Sequence, residues 1–266
     1  MKRIATYLCM FIAAATCLPV SARTPDKLTP FDLSQVTLLD GPEKTAMKAD
    51  SAYLHALSSD RLLYNFRKNA GLPSPGQPLG GWEAPDCELR GHFVGHYLSA
   101  CALLYKSTGD TAIKAKAEGM VHELAKCQKA LHQGGYLSAF PSSFIDRVET
   151  TGRVWAPYYT IHKIMAGLVD MYQLCGDKEA LDVAEGMAGY FERRSSKLTD
   201  QQFNRMLRTE FGGMANTLYD LYAINHRSAD LALAHRFDQP SFLGPLALRQ
   251  DDLSGPRNDE IGRAHV

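Results

Sequence analysis

Apolar residues recur at three- and four-residue spacing along most of the chain, the period of a helix with one buried face, and no stretch alternates long enough to make a strand. Pro42-Glu43 opens the first predicted helix, with Ala46, Ala49, Tyr53, Leu54 and Leu57 on one side. Asp60 caps a second that turns Leu62, Leu63 and Phe66 inward and stops at Gly71. Longer helices are predicted from about Glu88 to Ser107 and from Thr111 to Gln133, divided by Thr108-Gly109-Asp110, a stop followed at once by a start. Two stretches break the pattern. Leu72 to Asp86 is too rich in proline and glycine to be regular structure, and Gly134 onward reads as an irregular loop that delivers Trp155, Tyr158, Tyr159 and His162 to the start of another apolar helix.

The helical pattern also repeats. Tyr105-x-x-Thr108-Gly109-Asp110 matches Tyr172-x-x-Cys175-Gly176-Asp177, and Ala117-Glu118-Gly119-Met120 matches Ala184-Glu185-Gly186-Met187; both offsets are 67 (172 − 105 and 184 − 117). A weaker third copy runs from Leu221-Tyr222-Ala223-Ile224 into Ala232 to Phe237, 50 residues on (222 − 172). Hairpins joined by short Gly-Asp turns on one side and long loops of varying length on the other predict an all-α toroid of helix pairs, in which the long loops and the starts of the inner helices converge on one pocket.

With 266 residues, 45% of them hydrophobic, the chain can bury a sizeable core. Lys+Arg and Asp+Glu both total 29, so no long-range field favours nucleic acid or an anionic membrane, and a neutral sugar or peptide suits the balance better. Residues 1–22 read as a signal peptide: Lys2 and Arg3, an apolar run too short to span a bilayer, and Val20-Ser21-Ala22 as the cleavage site. The expected location is therefore secreted or periplasmic, with no membrane attachment after cleavage. Residues 23–42 form an extended lead-in. Cys87, Cys101, Cys127 and Cys175 remain in the mature chain without a CxxC pair, and the last three sit in apolar helical patterns as core-filling thiols.

Candidate chemistry concentrates at the loops. His92 and His96 stand one helical turn apart in GHFVGHY, a spacing open to metal ligation, to lining a pocket with hydrogen-bonding groups, or to a structural role. A zincin would carry its general-base Glu where Phe93 stands, so the metal reading is weak. Trp155, Tyr158 and His162 put an aromatic platform before an imidazole, which suits a sugar: apolar faces stack while hydroxyls take directional hydrogen bonds. Among nearby carboxylates, Glu83 and Glu210 included, no acid/base pair stands out by position; Glu210 fits a site role and favourable placement at a helix N-terminus equally.

The segments GGWEAPDCELRGHFVGHYLSA (Gly80 to Ala100), GGYLSAFP (Gly134 to Pro141), VWAPYYTIHKIMAGL (Val154 to Leu168), EFGGM (Glu210 to Met214) and FLGPLALRQDDLSG (Phe242 to Gly255) together resemble the β-L-arabinofuranosidase group of glycoside hydrolases, family 127 and the related family 146. The resemblance implies an incomplete (α/α)6 toroid over residues 43–255, belonging to an enzyme that hydrolyses terminal β-L-arabinofuranosides of plant-type glycans with retention. It implies sugar-binding roles for Trp82, Glu83, His92, His96, Trp155, Tyr158, His162 and Glu210, and an arabinose-containing oligo- or polysaccharide as partner. It also implies a zinc-held cysteine nucleophile and a glutamate acid/base in full-length members, beyond Gly255, with no cofactor in this chain. Residues 256–266 depart from the family pattern and read as a non-native tail, and Met214-Ala215-Asn216 stands where the family has an acid in the third position. The competing function is a non-catalytic helical carbohydrate-binding or interaction protein.

Overall fold

The computed structural model describes residues 29–150 and 153–250; the expected signal peptide and C-terminal tail lie outside the described residues. Residues 29–32 have no regular structure and are exposed. Leu33 onward forms a separate compact unit, and among its described residues there is no strand.

After a 3-10 turn at Leu33–Gln35 come α1 (Pro42–Ala56), α2 (Ser59–Leu62) and α3 (Tyr64–Asn69). A 3-10 turn at Gly81–Glu83 then leads to α4 (His92–Thr108), α5 (Thr111–Leu131), α6 (Ser143–Thr150), α7 (Pro157–Cys175) and α8 (Lys178–Ser195). The remainder is α9 (Asp200–Met206), α10 (Met214–Asn225), α11 (Ser228–Phe237) and α12 (Pro240–Ala247). Helices α4, α7 and α10 pack side by side in one layer, and α5, α8 and α11 follow in the same order in a second. Val94, Leu98 and Cys101 of α4, Ile164 and Leu168 of α7, and Met120, Leu124, Met187 and Phe191 of the second layer fill the space between. This is the hairpin array that the 67-residue repeat predicts.

The repeated turns are built alike. Gly109 and Gly176 end their helices in the left-handed region, at φ 74° and 76°, and each donates its N–H back to a tyrosine carbonyl, Tyr105 at 2.7 Å and Tyr172 at 2.9 Å. Asp110 then caps α5 by accepting from Ala112 at 3.0 Å and Ile113 at 3.1 Å, and Asp177 caps α8 by accepting from Ala180 at 3.2 Å. In the third copy His226 takes the left-handed position at φ 57° and donates to Tyr222 O at 2.8 Å. A non-glycine residue there explains why that copy is faint in the sequence.

Layer spacing is set where α4 crosses α7. A Cβ on Gly95 would lie 1.9 Å from the Lys163 carbonyl oxygen, and one on Gly167 would lie 2.5 Å from the Gly95 oxygen. The two backbones touch, so any side chain at either position would force the layer apart.

Three sequence expectations are corrected. The fourth helix starts at His92 rather than Glu88, because Gly91 takes φ 100° and turns the chain just before it. The stretch after Gly134 contains a helix, α6, whose Ile145 and Val148 are buried three residues apart; its Glu149 is gripped by Arg194 of α8 at 2.7 and 2.6 Å, and Asp146 also pairs with Arg194. Eight residues are too short a window for that spacing to stand out from the irregular sequence on either side. Finally, of the face predicted for α1 only Leu54 is buried, while Tyr53 is 55% exposed; Tyr53 and Ala46 instead line one wall of an open groove of about 1140 Å³ between α1, residues 33–38 and α4.

Gly95→Ala is expected to cost about 3 kcal/mol, at the upper end for overpacking a tight interface, read as a lower urea midpoint at unchanged slope. Gly119→Ala is the contrast: it sits within exposed helix surface with nothing within 4 Å of an added Cβ. It should raise stability by about 0.5–1 kcal/mol through backbone entropy alone.

Candidate functional site

At the end of the layers opposite the Gly-Asp turns, the N-termini of α4, α7 and α10 meet the long loops. Trp82 and Glu83 lie on the 3-10 turn at Gly81–Glu83, which is tied to α3 by Asn65 Nδ2 donating to the Glu83 carbonyl at 2.8 Å. The Glu83 carboxylate faces the start of α4. One oxygen accepts from the Gly91 N–H at 2.6 Å, the other from the Phe93 N–H at 2.9 Å and lies 2.7 Å from His92 Nδ1. An anion at a helix N-terminus satisfies otherwise unpaired N–H groups and meets the positive end of the helix dipole.

Trp155 is brought alongside by its own backbone N–H, which donates to Glu88 at 2.8 Å, and Arg147 of α6 holds the other Glu88 oxygen at 2.7 Å. The loop that follows α5 is fastened to the start of α4 by Arg90, which donates to the Ala139 carbonyl at 2.9 Å. On the far side, Gly212 and Gly213 let the segment before α10 lie directly on His162: a Cβ at these positions would come within 2.5 and 2.9 Å of its ring nitrogens.

A chain of rings results. Trp82 meets Trp155 edge-on at 6.2 Å between centroids and His92 at 6.2 Å; His92 meets His96 at 5.9 Å and Tyr159 at 6.2 Å; Tyr159 meets His162 at 6.0 Å. Trp82 is 63% and Trp155 42% exposed, whereas His92 is 8% exposed. Half-exposed indoles beside fixed imidazoles form a surface that takes a ligand with apolar faces and hydroxyl edges.

Electrostatics sharpen the picture. Desolvation, reinforced by nearby Lys163, lowers the His96 imidazole to about 4, although the ring keeps more than a third of its surface in water, which screens the effect. Burial also lowers the Lys163 ammonium, which rests 5.2 Å above the Tyr159 ring. Burial raises the Tyr159 phenol, and Glu210 adds to the shift, placing that carboxylate beside the cluster.

Of the residues singled out in the sequence, Trp82, Glu83, His92, His96, Trp155, His162 and Glu210 gather here. Tyr158 does not. It is 2% exposed, packs on Phe191 and Phe237 at 5.4 Å, and donates its hydroxyl to Glu149 at 3.1 Å, so it belongs to the core and the Arg194 network. Tyr159 occupies the position expected of it. The repeat contained the signal: an offset of 67 from His92 lands on Tyr159, and from His96 on Lys163 (92 + 67 and 96 + 67). Tyr159, named with the aromatic cluster but not among the sugar-binding residues, and Lys163 were passed over because equivalence between hairpins was not used to choose candidates.

Among the described residues no group of three or more His, Cys, Asp or Glu is arranged to hold a metal. Burial pushes the thiols of Cys101, Cys127 and Cys175 up to about 11, the reverse of what an activated nucleophile needs, and among the described residues no acidic or imidazole ligand set stands around them. The zinc-cysteine chemistry that the resemblance implies therefore does not fit these thiols.

Residues 35–265 match the GH127 catalytic domain of β-L-arabinofuranosidases. The chain belongs to this family. A crystal structure of a GH127 β-L-arabinofuranosidase from Geobacillus stearothermophilus T6 superposes with a TM-score of 0.57 at 16% identity, over 85% of this chain and 36% of that one. A second solved GH127 β-arabinofuranosidase superposes with a TM-score of 0.56 at 17% identity, over 80% of this chain and 34% of that one. The likeness at this identity concerns the fold, and the chain spans about a third of the length of either protein. A comparison with curated proteins finds no match. Membership of GH127 agrees with the all-helical hairpin array and with a glycoside hydrolase fold class.

The protonation of His96 is open to a direct check. An NMR titration should place its midpoint below the ordinary histidine value of about 6.5, and Lys163→Gln should move it upward, since that removes a neighbouring positive charge. A midpoint at or above the ordinary value would show that water screens the site completely.

Proposed function

We propose that this helical unit is the sugar-binding wall of a retaining GH127 glycoside hydrolase acting on terminal β-L-arabinofuranosides, exported through the leader at residues 1–22 to work on arabinose-containing glycans outside the cytoplasm. The observation that carries the reading is the pair of half-exposed indoles, Trp82 and Trp155, set edge-to-face beside His92 and Tyr159 at the N-terminal ends of the inner helices. An arabinofuranose ring offers a C–H face to such a platform and hydroxyls to the imidazoles.

Binding is what the described residues are equipped for. A retaining mechanism needs a nucleophile and an acid/base carboxylate about 5–5.5 Å apart when both are carboxyl groups. Glu83 is engaged by the α4 N-terminus, which commits both of its oxygens to backbone N–H groups. In a full-length member, a zinc-held thiolate outside these residues would supply the nucleophile. No hydrolytic step is assigned to residues 29–250. A chain that binds without cutting is the second reading, and the same experiment separates the two.

The sequence has two tryptophans, and both line this site, so intrinsic fluorescence reports on it without labelling. Titration with methyl β-L-arabinofuranoside should give a saturable change, and Trp82→Ala or Trp155→Ala should weaken binding about tenfold, the scale of losing one aromatic contact. Released L-arabinose from the purified chain would overturn the division between binding and cutting, and an unresponsive spectrum would overturn the sugar site. Sequencing the N-terminus of the exported protein should begin at Arg23; retention of residues 1–22 would sink the export proposal.

A further inference from the structure

We infer that Glu83 is a positioning residue whose carboxylate, with the Leu89 carbonyl, holds the His92 proton on Nδ1 and so presents Nε2 to a ligand hydroxyl as a bare acceptor. The inference rests on reading this end of the helices as a sugar site and adds which atom of His92 faces the sugar, in which protonation form, and why.

Glu83 Oε1 lies 2.7 Å from His92 Nδ1, and the Leu89 carbonyl oxygen lies 3.1 Å from the same nitrogen. A carbonyl oxygen and an ionised carboxylate are both acceptors only. The hydrogen bond to the Leu89 carbonyl needs hydrogen on Nδ1, and an anionic oxygen 2.7 Å away would repel a lone pair there, so both neighbours favour the Nδ1–H tautomer of the neutral ring. Both of these contacts fall on Nδ1 and leave Nε2 on the other edge of the ring. It sits in a ring flanked by Trp82 and Tyr159, each 6.2 Å away between centroids.

The support for this dyad is rigid. Both Glu83 oxygens also accept backbone N–H groups, Gly91 at 2.6 Å and Phe93 at 2.9 Å, and the side chain is 12% exposed. Leu89 is held in turn, because Thr160 of α7 donates its hydroxyl to the same carbonyl at 3.1 Å. One carboxylate thus starts α4, orients the first side chain of that helix, and has little surface left with which to touch a ligand. Glu83 acts through His92 rather than on sugar.

The test begins with the unaltered protein. Two-bond proton–nitrogen correlation of ¹⁵N-labelled histidine, at a pH where the ring is neutral, should show His92 in the Nδ1–H form, the signals being assigned by their loss in His92→Gln. The Nε2–H form would overturn the inference whatever any variant does. Glu83→Gln should shift His92 measurably toward Nε2–H, because the carboxamide cannot accept at both of its ends, and should weaken methyl β-L-arabinofuranoside binding about tenfold. An unchanged tautomer in folded Glu83→Gln would assign the lock to Leu89 alone and remove Glu83 from the role. If the Nδ1–H form is present and the glycoside binds to no variant, the positioning stands and the sugar reading falls.

Discussion

The backbone contact between α4 and α7 sets the frame for everything at the site. With Gly95 lying against the Lys163 carbonyl and Gly167 against Gly95, the two helices approach closer than any side chain allows. Their N-terminal ends are consequently brought near enough for His92 and Tyr159 to share a ring contact. Fixed polar groups in a binding site need support from elements that do not give. Here that support comes from a helix crossing at which backbone meets backbone.

Much of the fold was legible because it repeats. A left-handed residue donating back to a tyrosine carbonyl, followed by an aspartate cap, is a local device with a local sequence signature, and it recurs at Gly109-Asp110 and Gly176-Asp177. Helices α4, α5, α7 and α8 follow from it. What escaped notice is tertiary in origin. Helix α6 has Phe144, Ile145 and Val148 at helical spacing, but over eight residues too few to stand out from the loop around it, and Arg194 ties its Glu149 and Asp146 to α8 across 45 and 48 residues of chain. The exposed face of α1 is apolar by pattern, yet pattern cannot say that it opens on a groove instead of a core.

The site shows the same division. Trp82, His92, Trp155 and His162 announce themselves by residue type in irregular surroundings. Tyr158 and Tyr159 cannot be separated that way, since adjacent residues of a helix point about 100° apart and only the register of the neighbouring layer decides which faces inward. Glu83 was legible as a carboxylate near the pocket, but its attachment to two backbone N–H groups beside the His92 ring is a matter of three-dimensional closure. A residue prominent by motif thus has its carboxylate committed to the start of a helix.

The hairpins keep their two ends under different constraints. At one end, turns of a few residues carry strict φ and cap requirements; at the other, loops of unequal length carry the aromatic and ionisable groups. Variation is consequently partitioned: insertions and side-chain changes among the long loops can remodel what is recognised while the turns preserve the stacking of the layers. The hairpins can therefore be lengthened at the aromatic rim without disturbing the φ and cap requirements that hold the opposite rim.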